Sequence, residues 1–174
     1  MKLPGRPQAD EHDPYYSRYT ALAPEEDILQ AMEEQAAETL SLLRGLNEEQ
    51  AAYRYAPGKW SVKQIVGHLT DAMHVFAYRA LSIGRGEQQP LPGFEEKDWA
   101  ETGGFDAHTL ADLLQDLEST HIATRRMFRA LPPEAWTRRG IASDLPVSVR
   151  ALAWITLGHE RHHVRVLKDK YLNR

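Results

Sequence analysis

Apolar residues return every three or four positions through four separate stretches of this chain, a spacing that suits helices and not strands. The first stretch opens at Pro24 and carries Ile28, Met32, Ala36, Thr39/Leu40, Leu43 and Leu46. Glu25, Glu26 and Asp27 stand where the first turn of a helix favours acids. The second begins at Ser61, where Ser61-Val62-Lys63-Gln64 has the capping-box pattern that satisfies orphan amides at a helix start. Its stripe is Val62, Ile65, Val66, Leu69, Ala72/Met73, Phe76 and Ala80, and Gly84 ends it. Asp106 is the expected cap of the third, which shows Leu110, Leu113/Leu114, Leu117, His121, Thr124, Phe128 and Leu131 before Pro132 and Pro133 stop it. The fourth is expected from Ser148, with Leu152, Ile155/Thr156, His159, His163, Val166/Leu167 and Tyr171 on its stripe.

Four such segments with no alternating strand pattern predict an all-α fold, a four-helix bundle. The bundle domain is expected over residues 24–174. Residues 1–23 are expected to be an extended leader, broken by prolines and strapped onto the body through Tyr15, Tyr16 and Tyr19. Between helices two and three, Arg85 to Gly104 is a long connection punctuated by Pro90, Pro92, Gly93, Gly103 and Gly104. It can recross a whole bundle, and long connections are often functional. A faint internal echo pairs Gly67-His68 of helix two with Gly158-His159 of helix four.

Composition narrows the function. The chain has 174 residues, enough for one domain. Its 21 Lys and Arg stand against 25 Asp and Glu, a net charge of -4, which argues against the basic face of a nucleic-acid binder. There is no cysteine, so disulfides, thiolate zinc sites and a cysteine nucleophile are all excluded. No apolar run approaches the roughly 20 residues of a membrane span, and Met1-Lys2-Leu3-Pro4-Gly5-Arg6-Pro7 lacks the apolar core of a signal peptide. A cytoplasmic enzyme or binding domain acting on a small molecule is the expectation.

The eight histidines carry the chemistry. In His159-Glu160-Arg161-His162-His163, the first and last lie four apart and direct their rings to one point at the core edge. His162 is rotated by about 100° from His163 and points outward. His68, at the edge of the helix-two stripe, is the candidate third ligand from a second helix. Three neutral imidazoles suit a divalent transition metal such as zinc or nickel and leave coordination positions open. The plainer reading is two half-exposed histidines and one hydrogen-bonded at the core edge.

The same five residues spell H-E-x-x-H, the zinc-peptidase signature with Glu160 as base. Only Asp169 among the eleven residues after His163 offers a further ligand, and no strand is expected to bind a peptide. Glu160 falls on the apolar arc, as a partner of the ligands, a buried interhelical contact or a base. His121 sits at the centre of the third stripe, either as a core histidine bonded to a neighbour or as a pocket-lining, proton-handling group. His12, His74 and His108 are expected in solvent. Arg79 can support a ligand or bind an anion, or be an exposed helix charge. Trp99, in the long connection, is the candidate pocket wall.

The run Tyr55-Ala56-Pro57-Gly58-Lys59-Trp60-Ser61 through Thr70-Asp71 resembles the second-helix signature of the DinB/YfiT-like superfamily. So do Tyr78-Arg79-Ala80-Leu81, the Leu91-Pro92-Gly93-Phe94 loop and Gly158-His159-Glu160-Arg161-His162-His163. The resemblance spans about residues 20 to 172 and implies a bundle that holds nickel or zinc through His68, His159 and His163. His74 stands where that family frequently has an acid. Relatives implied by the resemblance include S-transferases that use low-molecular-weight thiols, a maleylpyruvate isomerase, and proteins labelled metal-dependent hydrolases. They commonly form homodimers. The leading expectation is therefore a metal-dependent, thiol-dependent S-transferase with His121, Arg79 and the 85–105 connection shaping its pocket. The alternatives are a hydrolase using metal-activated water, and a non-catalytic stress or ligand-binding module.

Overall fold

The computed structural model describes residues 5–173. Its helices are α1 (Ser17–Thr20), α2 (Ile28–Arg44), α3 (Glu48–Ala52), α4 (Val62–Gly84), α5 (Glu96–Thr102), α6 (Leu110–Arg129) and α7 (Val149–Val166). A hairpin of β1 (Arg139–Ala142) and β2 (Leu145–Ser148) leads into α7. The four long helices form the bundle. Both α2 and α4 pack against α6 and α7, so α2 and α4 take opposite corners although they follow one another along the chain. Among the described residues no helix is long and apolar enough to cross a membrane.

Local chemistry sets the ends. Ser61 Oγ accepts from the Gln64 amide at 3.0 Å while Gln64 Oε1 accepts from the Ser61 amide at 3.1 Å, so the capping box forms as expected. Ser148 caps α7, accepting from the Ala151 amide at 2.9 Å. Two expected starts shift. Asp27 is the cap of α2, so Pro24–Glu26 precede the helix rather than entering its first turn. Thr109, not Asp106, caps α6. Asp106 is already engaged, accepting from Ser61 Oγ and pairing with Arg54, each at 2.5 Å.

Four elements escape the periodicity. The leader is not extended throughout as expected: two single helical turns and α1 coil Ala9–Glu11, Pro14–Tyr16 and Ser17–Thr20. The short α3 and α5 occupy segments expected to be connections. The hairpin contradicts the expectation of no strands: its strands have four residues each, and Pro146 interrupts the pattern of β2. Its two-residue turn, Ser143-Asp144, holds φ of 53° and 62°, the left-handed pair of a type I′ turn that normally announces itself as Asn-Gly. Leu91 of the long connection bridges to Ala142, so that connection adds a short parallel edge to the hairpin.

The apolar core is split into two clusters. Ile28, Met32, Phe76, Phe128, Trp136 and Trp154 belong to one, and Leu43, Ile65, Leu69, Leu117 and Leu167 to the other. Near the junction of the two sets each bundle helix carries buried polar residues: Gln35 and Thr39 on α2, His68 on α4, Thr120, His121 and Thr124 on α6, Thr156, His159 and Glu160 on α7. A polar layer therefore crosses the middle of the bundle, and burying it requires partners for each group.

Residues 1–4 of the expected leader lie outside the described residues. From Gly5 onward it lies against the hairpin and α7. Tyr16 and Tyr19 are buried, while Tyr15 is half exposed. Buried Glu11 accepts from Ser148 Oγ at 2.8 Å and from Arg150 Nε at 2.9 Å. Burial pushes the Glu11 carboxyl up, but those two partners outweigh it and hold its pKa below the usual carboxylate value. His12 is not solvated as expected. It is buried, contacts Asp13 O and Thr20 Oγ1, and bridges to Val147 of β2. His74 and His108 are exposed, with His74 in contact with Thr120 Oγ1 at 3.2 Å.

Candidate metal centre

His68 enters the polar layer from α4, and His159 and His163 enter from α7 one helical turn apart. Each ring offers one nitrogen, and the three nitrogens lie within 4.8 Å of one another. His68 Nε2 and His159 Nε2 are 3.2 Å apart. Two donors on one tetrahedral zinc, with bonds of about 2.0–2.1 Å, stand about 3.3 Å apart, so this pair already has a coordinating separation.

Electrostatics keeps the rings neutral. Burial pushes the His68 pKa down to about 4. Burial, followed by the neighbouring imidazoles, holds His159 and His163 well below 6.5. Imidazoles without protons on their inward nitrogens are the form that binds a cation. His162 is exposed and its edge meets Tyr19, outside the trio as the helical repeat predicts.

Aromatic rings wall the cluster. Trp60 packs on His68 with centroids 4.9 Å apart and stacks on His163 at 6.4 Å. The Tyr171 hydroxyl donates to Trp60 O at 2.7 Å and fixes that wall. Phe76 and Tyr19 meet His159 edge-on at 5.4 and 5.3 Å. Phe76 stands eight residues after His68 on the same face of α4, a placement readable in the sequence. Tyr19 reaches the site because Gly158 lets the backbone of α1 lie directly on α7, where a Cβ would overlap the Tyr19 carbonyl. The leader is thus part of the site, for which its aromatic content was the only sequence signal.

Glu160 turns away from the cluster. Its carboxylate accepts from Thr39 Oγ1 at 2.6 Å and meets His121 Nε2 at 3.0 Å, tying α2, α6 and α7 together. Of the readings open for Glu160, the buried interhelical contact is the one the structure shows, with both oxygens engaged. His121 is the bonded core histidine, and it also lines a cavity of about 200 Å³ with Met32, Met73, Ile122 and Glu160. That cavity is separate from the one beside the histidine trio.

The cavity beside the trio is about 230 Å³ and includes His159, Tyr16, Tyr19, Phe76, Phe94 and Arg79 in its lining. Arg79 is no exposed helix charge; it is buried, 2% exposed. Trp99 is 44% exposed and backs Phe94, with centroids 4.9 Å apart. Phe94, rather than Trp99, forms the wall.

Residues 31–167, most of the chain, match the sequence pattern of the DinB superfamily. The chain belongs to the DinB superfamily. One relative in this superfamily, from Bacillus licheniformis, is 33% identical over 130 residues, which cover 71% of each chain. Another, from Geobacillus thermodenitrificans, is 30% identical over 124 residues and 68% of each chain. Both carry the provisional name of metal-dependent hydrolase. Among solved structures, YfiT of Bacillus subtilis superposes with a TM-score of 0.75 at 20% identity, covering 84% of this chain and 86% of its own. It is described as having an unusual four-helix bundle topology, and the fold of this DinB chain agrees with it. A mycothiol-dependent maleylpyruvate isomerase shares the fold with a TM-score of 0.68 at 15% identity, over 83% of this chain and 61% of its own.

Proposed function

We propose that the chain is an enzyme in which His68, His159 and His163 hold one divalent transition metal, zinc or nickel, and which transfers a low-molecular-weight thiol to a small electrophile. The observation that carries this reading is the convergence of three neutral imidazole nitrogens within 4.8 Å of one another, beside a cavity lined by His159. The donor set fits the ion: neutral nitrogen ligands from two rigid helices, with the fourth position left to a ligand. A divalent cation there would supply Lewis acidity, favouring the ionised form of a thiol or water at neutral pH.

The chain's own residues favour the thiol. Glu160, the carboxylate next in sequence to His159, is held by Thr39 and His121, which favours a structural role for it over that of a base for water at the trio. An aromatic enclosure of Trp60, Tyr19 and Phe76 suits a soft sulfur better than it suits hydrolysis. The names of the sequence relatives favour the second reading, hydrolysis. In that reading Glu96, an exposed carboxylate on the cavity lining, is the candidate base.

One assay separates the two. Metal-loaded protein is given 1-chloro-2,4-dinitrobenzene with and without a panel of thiols (cysteine, glutathione, bacillithiol, mycothiol), and His163→Ala is run beside it. Thiol-dependent conjugation lost in the variant supports the transferase. Equal turnover by His163→Ala contradicts it, and consumption of an ester substrate without thiol favours hydrolysis.

A further inference from the structure

Of the half-buried arginines, Arg138 donates to the Gly84 carbonyl and the other three are matched to acids. Arg150 pairs with Glu11, Arg161 with Glu25 and Arg125 with Glu33. Arg79 is more deeply buried than any of these, and among the described residues no carboxylate lies within ion-pair distance of it. Its Nη2 donates to two neutral oxygens, Pro92 O at 2.8 Å and Ser143 Oγ at 2.7 Å, and the Tyr16 hydroxyl is a further neutral partner of the guanidinium. Its Nε has no acceptor. A buried, uncompensated guanidinium is costly to maintain. Burial also lowers its pKa, although a guanidinium keeps its proton at any physiological pH.

The surrounding chain holds this charge in position. Ser143 is one of two non-glycine residues with positive φ among the described residues, both in the hairpin turn, and its hydroxyl is a direct partner of Arg79. The Phe94 ring lies 5.9 Å from the guanidinium carbon. Both contacts fix the group on the cavity that also includes His159. A deeply buried cation without a carboxylate partner, on the wall of a cavity, marks a position kept for a ligand rather than for stability.

We infer that Arg79 is the anion-recognition group of this cavity and that the site takes a small ligand bearing a carboxylate, seated on Arg79 with its other end toward His159. The inference rests on the proposed metal-dependent reading, whose substrate class it specifies. A carboxylate fits better than a phosphate. At the Arg79 end the lining offers, among the described residues, one guanidinium and no second cationic side chain, so a single negative charge is matched there and a phosphate dianion is not. The other charged side chain on the lining is Glu96, which is exposed and acidic. The aromatic walls of Tyr16, Phe76 and Phe94 suit a short apolar body behind the carboxylate.

The test is calorimetric titration of metal-loaded protein with succinate, its uncharged analogue succinamide, 3-mercaptopropionate and 2-mercaptoethanol. Succinate is expected to bind wild type at least tenfold more tightly than succinamide, a comparison that needs no variant. Arg79→Met is expected to weaken both carboxylate probes at least tenfold, to leave 2-mercaptoethanol unchanged, and to keep the wild-type metal content. Arg79→Lys should recover part of the loss, and Glu96→Gln should not weaken either carboxylate. If 3-mercaptopropionate outbinds succinate, the thiol carries the carboxylate; the reverse order assigns it to the electrophile. Equal affinity for succinate and succinamide, absence of binding by any carboxylate probe, or carboxylate affinity untouched by Arg79→Met overturns the inference. The last result, with metal retained, would mean that the cation alone holds the carboxylate. Failure of the metal reading is seen separately, as metal content that His68→Ala does not lower.

Discussion

His68 Nε2 and His159 Nε2 face each other at 3.2 Å although 91 residues separate them in the chain. With a proton on one of them the two nitrogens share a hydrogen bond; with neither protonated they repel, at a separation that suits two ligands of one cation. A shared cation converts the arrangement into a bonded site. The same geometry governs how the protein should respond to acid, to packing changes and to loss of the metal.

Acid should weaken the metal-free protein. The His68 pKa is about 4 in the folded chain against 6.5 when free. Between those values the unfolded chain binds a proton that the folded chain refuses, so stability is complete above about pH 6.5 and falls as pH drops toward 4. His159 and His163 shift in the same direction. With each pKa unit worth about 1.4 kcal/mol, His68 alone accounts for a loss on the order of 3 kcal/mol. Urea midpoints measured from pH 7 to pH 4.5 on chelator-treated protein should decline steadily. A flat profile would rule out buried neutral imidazoles.

Glu160→Ala should damage the fold rather than the metal site. It leaves Thr39 Oγ1 and His121 Nε2 without their partner in the polar layer. A loss of about 2–5 kcal/mol is expected, with metal content unchanged in the folded fraction. Metal lost without loss of stability would make Glu160 a ligand.

Gly158→Ala tests whether the leader belongs to the site. The added Cβ meets the Tyr19 backbone, which has no flexible end to swing aside. A destabilisation of about 1–3 kcal/mol is expected, together with faster proteolysis within residues 5–23. An unchanged melting temperature and cleavage rate would show that α1 does not rest on α7.

Glu11→Gln should loosen the same segment from its other end. It breaks a pair in which the side chains of Arg150 and Glu11 are 13% and 5% exposed, at a cost of about 3 kcal/mol. Because the folded pKa of Glu11 lies below 4.5, its contribution is present above that value and fades only as pH falls through the lower one. The variant should therefore lose the part of the acid transition that lies below the histidine window. A wild-type acid profile in the variant would contradict the assignment.

The histidine trio and the bundle could be read from the sequence for one reason: both obey the helical repeat. Val62 to Ala80 and Leu152 to Leu167 mark the faces, and His68, His159 and His163 fall at their edges. Ser61 and Ser148 fix where those faces begin because each cap is a local contact, closed within three residues. Asp106 was misassigned because its partners, Ser61 and Arg54, are distant in sequence. The Ser143-Asp144 turn lacks the glycine that signals its backbone geometry, so the hairpin stayed hidden and with it the neighbour of Arg79. Glu160 illustrates the remaining limit. Its position on the apolar arc was readable, but its orientation away from His159 depends on Thr39 and His121, two other helices whose register no local pattern carries.

The most direct measurement is the metal content of purified protein by inductively coupled plasma mass spectrometry, wild type beside folded His68→Ala. One equivalent of zinc or nickel per chain in wild type, falling to a small fraction in the variant, is the predicted result. Equal metal in both proteins, or none in wild type after incubation with either ion, would contradict a centre built on these three imidazoles.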